Sequence, residues 1–234
     1  MSNTCARCGQ PVASDGRVDF GGRVIQLSAM CDRCADLQER ERVEADRLES
    51  WRNLYRAGLV SRETAALYPH GLAELTPSQK HALEQVTRAG VVTQGLWAHG
   101  PAGCGKTALC RTLLVRCHLA GGDVAEVSAR RLLRDGDRSP LWERLLTADV
   151  LLVDDLDKAV WTEISASVWW EVTDRRADRP TLITANSSGS DFARTLTGAG
   201  LSDNWIRPAL SRLMPIVGVK MTGEDLRKKG KEKA

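Results

Sequence analysis

The 234-residue sequence has few aromatic residues, 5 %, and a formal net charge of only +3. It holds no uncharged apolar run near the roughly 20 residues a membrane helix needs, so no membrane span or membrane partner is expected. It has no internal repeat, and the basic C-terminal stretch is its one low-complexity segment, so collagenous and wholly disordered readings fall away. The opening MSNTCARCGQ has no basic stretch followed by an apolar one, so a cytoplasmic location is expected. What is present, 42 % hydrophobic and 27 % charged residues, suits a globular protein of one or two domains with a real core. Charge is unevenly placed: residues 220–234 carry six Lys or Arg against three Asp or Glu, leaving the rest of the chain balanced. Such a tail either touches phosphate or only keeps the terminus solvated.

Four of the seven cysteines fall in two CxxC pairs, Cys5/Cys8 and Cys31/Cys34, with 22 residues between them. Each pair can form a knuckle presenting two thiolates, and two knuckles make the tetrahedral sulfur set that Zn2+ prefers. A reducing compartment disfavours two disulfides instead. With four thiolates and no open position the zinc is structural, in a ribbon too short to fold well without it. Gly9 supplies backbone freedom after the first knuckle. The alternating VDFGGRVIQLSAM reads as a hairpin turning at Gly21-Gly22. Zinc ribbons bind nucleic acid or protein, and the sequence does not choose. Cys110 and Cys117, among apolar neighbours, read as small core residues. From Asp36 to Arg56 an apolar stripe (Leu37, Val43, Leu48, Trp51, Leu54, Tyr55) reads as a linking helix ended by Gly58. Thr76 and Pro77 start another helix, to Ala89.

The strongest signal is Gly100-Pro101-Ala102-Gly103-Cys104-Gly105-Lys106-Thr107, which satisfies GxxxxGK[ST] between a short apolar strand and a helix continuing through Ala108. Glycines let backbone N–H groups wrap a phosphate of ATP, Lys106 neutralises its oxygens, and Thr107 offers a hydroxyl to Mg2+. Ala148–Val153 is a buried-strand run ending in Asp154 and Asp155. Asp154 is the candidate Mg2+ carboxylate, and Asp155 the group that orients and deprotonates water. Alone, two aspartates there could be a helix cap. After Pro180–Ala185, Asn186 is the candidate γ-phosphate sensor, with Thr184 on the same face; a turn-forming Asn is the other reading. Strands near 95–99, 123–127, 149–154, 180–186 and 215–221 alternate with helices 106–120, 160–177 and 203–213. That alternation predicts an α/β fold with a parallel five-stranded sheet.

The stretches HGPAGCGKTAL, LLVDDLDKAVW, WWEVTDRRADRPTLITANSS and IRPALSRLMPIVGVKMTGEDLR, in this order, resemble the AAA+ replicative helicase loaders of the DnaC/DnaI type and the related IstB transposition ATPases. The resemblance spans residues ~90 to 227. It implies a P-loop AAA+ core without a C-terminal lid domain, since about 22 residues follow Arg212. It implies that Arg212, in Leu-Ser-Arg-Leu, is an arginine finger reaching ATP on a neighbouring subunit, with Arg207 a competitor, and hence an ATP-bound homo-oligomer. It places Arg130, Arg131 and Arg134 on a helix facing single-stranded DNA, although a solvated face is an equal reading; no aromatic is interleaved for base stacking. Asp157 departs from the family's Gly. The implied organisation is a zinc ribbon at 1–35, a helical linker at 36–75, the ATPase core at 76–227 and a basic tail at 228–234. The implied partners are a replicative hexameric DNA helicase, gripped by the N-terminal module, and single-stranded DNA. The expected activity is slow, DNA-stimulated, Mg2+-dependent ATP hydrolysis. The alternative is an IstB-like ATP-dependent DNA-binding regulator that recruits a transposase.

Overall fold

The computed structural model describes residues 4–12, 17–20, 23–26, 29–72, 74–88, 91–212 and 216–223. The chain divides into two compact units, Met1–Ser50 and Trp51–Ala234. The turn residues Gly21 and Gly22, the end of the expected helix at Ala89 and the basic tail lie outside the described residues, as does the side chain of Arg207.

In the first unit, strands β1 (Arg17–Phe20) and β2 (Arg23–Gln26) pair antiparallel, with Phe20 opposite Arg23, as the alternating pattern predicts. Helix α1 (Asp32–Arg56) starts inside the second CxxC pair, four residues before the start expected from its stripe. The stripe itself divides. Leu37 and Tyr55 are exposed, whereas Trp51 and Leu54 are buried and belong to the second unit. The segment read as a linker therefore also supplies core: Trp51 stacks on Tyr68 at 5.3 Å, and Leu59 and Val60 are buried.

The second unit continues with α2 (Arg62–Ala65), α3 (Pro77–Val86), β3 (Thr87–Arg88), β4 (Val91–Val92), β5 (Gly95–His99), α4 (Lys106–Leu119) and β6 (Val124–Ser128). It then runs through α5 (Ala129–Asp135), α6 (Trp142–Thr147), β7 (Val150–Asp154), α7 (Glu163–Arg175), β8 (Thr181–Ala185), α8 (Gly189–Gly198), α9 (Asp203–Arg212) and β9 (Ile216–Lys220). Strands β6-β7-β8-β5-β9 form one five-stranded sheet with every pair parallel, as expected. Strands β5, β7 and β8 are buried almost throughout, which is why they read as continuous runs, whereas β9, at the edge, is largely half-buried or exposed. Helix α4 is apolar on most sides, burying Leu109, Cys110, Leu113, Leu114, Val115 and Cys117. Burial pushes the Cys110 thiol up and that of Cys117 up to about 11, so both behave as inert core residues. The edge of β6 is covered in part: Glu126 N donates to Leu59 O at 2.7 Å. Helix α8 is absent from the expectations; Ser188 caps it by accepting from Asp191 N. None of the described helices is long and apolar enough to cross a membrane.

Arg176, 2 % exposed, is the largest fully buried side chain. It has no carboxylate partner among the described residues. Its guanidinium donates instead to Leu145 O (3.1 Å), Leu146 O (3.1 Å), Ala148 O (2.8 Å), Pro180 O (2.9 Å) and Thr181 Oγ1 (3.1 Å). Two of these carbonyls belong to the last turn of α6, where the helix dipole favours a cation. Desolvation, with Arg179 nearby, lowers its pKa to about 10, so the group stays charged. Arg176→Met removes the donors and strands several buried carbonyls, so a loss of about 3 kcal/mol or more is expected in urea unfolding. Arg175→Met, which breaks only the exposed pairs with Glu143 and Glu171, should leave the midpoint nearly unchanged.

Candidate functional site

The loop between β5 and α4 adopts the conformation its glycines permit. Gly103 and Gly105 have φ of 81° and 89°, in the left-handed region. Gly100, at φ 143°, lies against β9: a Cβ there would sit 2.2 Å from Met221 O. Met221 N in turn donates to His99 O at 2.6 Å. Burial, and then Lys220, depress the pKa of His99.

Ser61, Thr76, Ser128, Thr162 and Ser188 cap α2, α3, α5, α7 and α8 with their side chains, but α4 starts at Gly105 with no side-chain cap. Its first N–H groups are thus uncapped, at the positive end of a 14-residue helix. Lys106 lies at the same end and is 7 % exposed. Its Nζ donates to Gly100 O (2.8 Å), Pro101 O (2.8 Å) and Asn186 Oδ1 (3.3 Å). Among the described residues it has no carboxylate partner. A buried ammonium surrounded only by neutral oxygens, beside uncapped amides, lacks an anion.

Thr107 Oγ1 donates to Asp154 Oδ1 at 2.7 Å, which joins the start of α4 to the end of β7. Thr184 Oγ1 donates to the same oxygen at 2.6 Å and accepts from Asp155 N at 2.8 Å. Register explains the meeting, since Val153 pairs with Ile183 and brings the next residues of both strands together. A hydroxyl and a carboxylate oxygen converging in this way fit a hard divalent cation. Asp155 has φ 58° and ψ 51°, left-handed and uncommon for a residue other than glycine. Its Oδ2 is 2.8 Å from Lys158 Nζ.

Lys106 and Asn186 thus form one hydrogen-bonded set, and Thr107, Asp154, Thr184 and the Asp155 N–H another, the two meeting at the adjacent residues Lys106 and Thr107. Arg212 goes elsewhere: its Nε is 2.6 Å from Asp174 Oδ1 and its guanidinium lies 5.1 Å from the Trp170 ring centre, both on α7. Three contacts were not expected. Gln79, 1 % exposed, donates from Nε2 to Gly105 O at 3.2 Å. Its place three residues after Thr76 signals a capping box, but nothing in the pattern signals the loop contact. Asp157 Oδ2 accepts from Asn186 N at 2.8 Å, and Lys158 pairs with Asp155. On α5, Arg130, Arg131 and Arg134 are all exposed, with Asp135 paired to the last two.

In the first unit the Sγ atoms of Cys5, Cys8, Cys31 and Cys34 all lie within 4.8 Å of one another. Those of Cys8 and Cys31 are 3.7 Å apart. A tetrahedron with arms of 2.3 Å has an edge of about 3.8 Å, so the set fits Zn2+. Backbone N–H groups of Cys31, and then of Cys8, hold the Cys5 thiol down to about 6. Hydrogen bonding with Cys8 pushes Cys34 up to about 12. Gly9, at φ 72°, closes the first knuckle by donating to Cys5 O at 2.9 Å.

No protein-family model matches the chain, and no curated protein does. Solved structures do. DnaI is similar with a TM-score of 0.53 and 19 % identity over 72 % of this chain and 94 % of that one. The DnaC helicase loader is similar with a TM-score of 0.50 and 17 % identity over 68 % of this chain and 100 % of that one. Domain III of the Thermotoga maritima replication initiation protein DnaA is similar with a TM-score of 0.50 and 17 % identity, over 66 % and 68 %. At such identities the likeness is one of fold. The expected α/β fold with a parallel five-stranded sheet is the one observed, and these structures share it.

Gly100→Ala should cost about 1–3 kcal/mol in urea unfolding, because the added methyl meets backbone rather than a movable side chain. Gly198→Ala, with nothing within 4 Å, should change stability by less than about 0.5 kcal/mol.

Proposed function

We propose that this chain binds and hydrolyses ATP and uses the cycle to place a replicative hexameric helicase on single-stranded DNA. The observation that carries nucleotide binding is Lys106, a buried cation with neutral partners at an uncapped helix N-terminus. Two further observations support the loader reading: the fold shared with the DnaC helicase loader and the exposed arginines of α5.

On this reading residues Gly100–Ala108 receive the phosphates through backbone N–H groups, and Lys106 exchanges carbonyl contacts for phosphate oxygens. Thr107 and Asp154 would hold Mg2+, which neutralises phosphate charge when bound. Thr184 fixes Asp154 and the Asp155 backbone by its two hydrogen bonds. Asp155 accepts the proton of the attacking water, and Asn186 orients that water or the γ-phosphate. Arg212 would serve a neighbouring copy in a homo-oligomer, after leaving Asp174 and Trp170. Zn2+ on Cys5, Cys8, Cys31 and Cys34 holds the N-terminal module that grips the helicase.

The full-length protein, zinc-loaded, should hydrolyse ATP slowly with Mg2+, faster with single-stranded DNA, and should co-sediment with its host's hexameric helicase. Lys106→Ala should abolish turnover. Turnover unchanged across a DNA titration, with ATP-dependent duplex binding and no helicase capture, would instead favour the transposase-recruiting regulator. Metal analysis should find one zinc per chain, lost in Cys8→Ser and Cys31→Ser. Chelation should abolish helicase capture while ATP binding persists; zinc-free protein that still captures the helicase would refute the ribbon's role.

A further inference from the structure

We infer that Lys158 is a positioning residue that restrains Asp155 between turnovers; this rests on the reading of Asp155 as the carboxylate that accepts water. Asp155 is the one non-glycine residue with positive φ among those described, at 58°. That conformation starts a tight 3-10 turn, Leu156–Lys158, closed by Lys158 N donating to Asp155 O at 3.0 Å. The turn brings Lys158 back over the residue that opens it, with Nζ 2.8 Å from Asp155 Oδ2.

The same turn serves Asn186 with its other polar side chain. Asp157 Oδ2 accepts from Asn186 N at 2.8 Å. Two consecutive side chains therefore reach the two residues assigned to the water and the γ-phosphate, one each. Their effects differ. The Asp157 bond goes to backbone and leaves the Asn186 amide free to contact Lys106. The Lys158 bond takes a carboxylate oxygen of Asp155 itself. A carboxylate tethered to an ammonium on its own turn has one oxygen fewer for water and a side chain fixed by that tether. Lys158 is half exposed, so the tether is of the screened, easily broken kind. It suits a restraint that is released in each cycle rather than a fixed structural bond.

Three full-length variants test this. Lys158→Met should raise kcat for ATP about two- to fivefold, the scale of an exposed ion pair, with KM unchanged. Lys158→Arg, which keeps the cation, should stay near the wild-type rate, and Lys158→Met should give no gain in an Asp155→Asn background. A second measurement needs no turnover: amine acylation of Lys158, followed by mass spectrometry without nucleotide, should be faster in Asp155→Asn than in wild type. An unchanged or lower kcat in Lys158→Met, or equal acylation rates, would overturn the restraint while leaving the ATPase reading intact. Absence of ATP turnover in the wild-type protein would overturn that reading and the restraint with it.

Discussion

The loop between β5 and α4 is organised around one buried charge. Lys106 combines two unfavourable conditions: it is removed from water, and it sits at the positive end of α4. Neutral oxygens from Gly100, Pro101 and Asn186 satisfy its protons but not its charge. Around it the loop shows φ values that only glycine adopts readily, and α4 opens without a side-chain cap. Each feature alone weakens a fold; together they make a cradle whose missing component is an anion.

Arg176 shows what the same fold does with a buried cation that has a structural task. It too lacks a carboxylate partner among the described residues, yet its five hydrogen bonds go to oxygens at or near a helix C-terminus and strand start. There the dipole of α6 is favourable, and the carbonyls of Leu145, Leu146 and Ala148 gain a buried donor. One buried cation thus completes its surroundings, and the other leaves its surroundings incomplete. That difference separates a structural arginine from a ligand-seeking lysine on physical grounds, independently of the loop's sequence pattern.

Much of this was legible in the residues, for reasons that can be named. The parallel strands are buried on both faces, so Val150–Val153 and Thr181–Ala185 declare themselves as apolar runs. The glycines and the lysine of the loop follow a spacing that cradling a phosphate demands, so the loop is conspicuous in the sequence. The two CxxC pairs are likewise set by metal geometry, and their sulfurs do converge. Other features need three dimensions. Ser188 looks the same in a turn as in a helix cap, so α8 was hidden. The stripe of α1 does not distinguish Trp51, which packs, from Leu37, which faces solvent. Gln79, Asp157 and Lys158 carry no motif; their contacts depend on loop and turn geometry that spacing rules do not encode.

The segment that follows α1 is joined to α4 by a polar network that composition would not suggest. Arg111, on the second turn of α4, donates to Glu126 Oε1 from Nε at 3.0 Å, and its Nη2 lies 2.9 Å from the same oxygen. The other oxygen of Glu126 accepts from Ser61 N at 3.0 Å and from the hydroxyl of Thr64. The Glu126 side chain is only 7 % exposed, so this carboxylate is held almost without water and both partners are needed to keep it there. Glu126 therefore anchors the segment that follows α1 to the edge strand β6 on one side and to α4 on the other. The residues after Trp51 therefore belong to the core rather than to a passive connector.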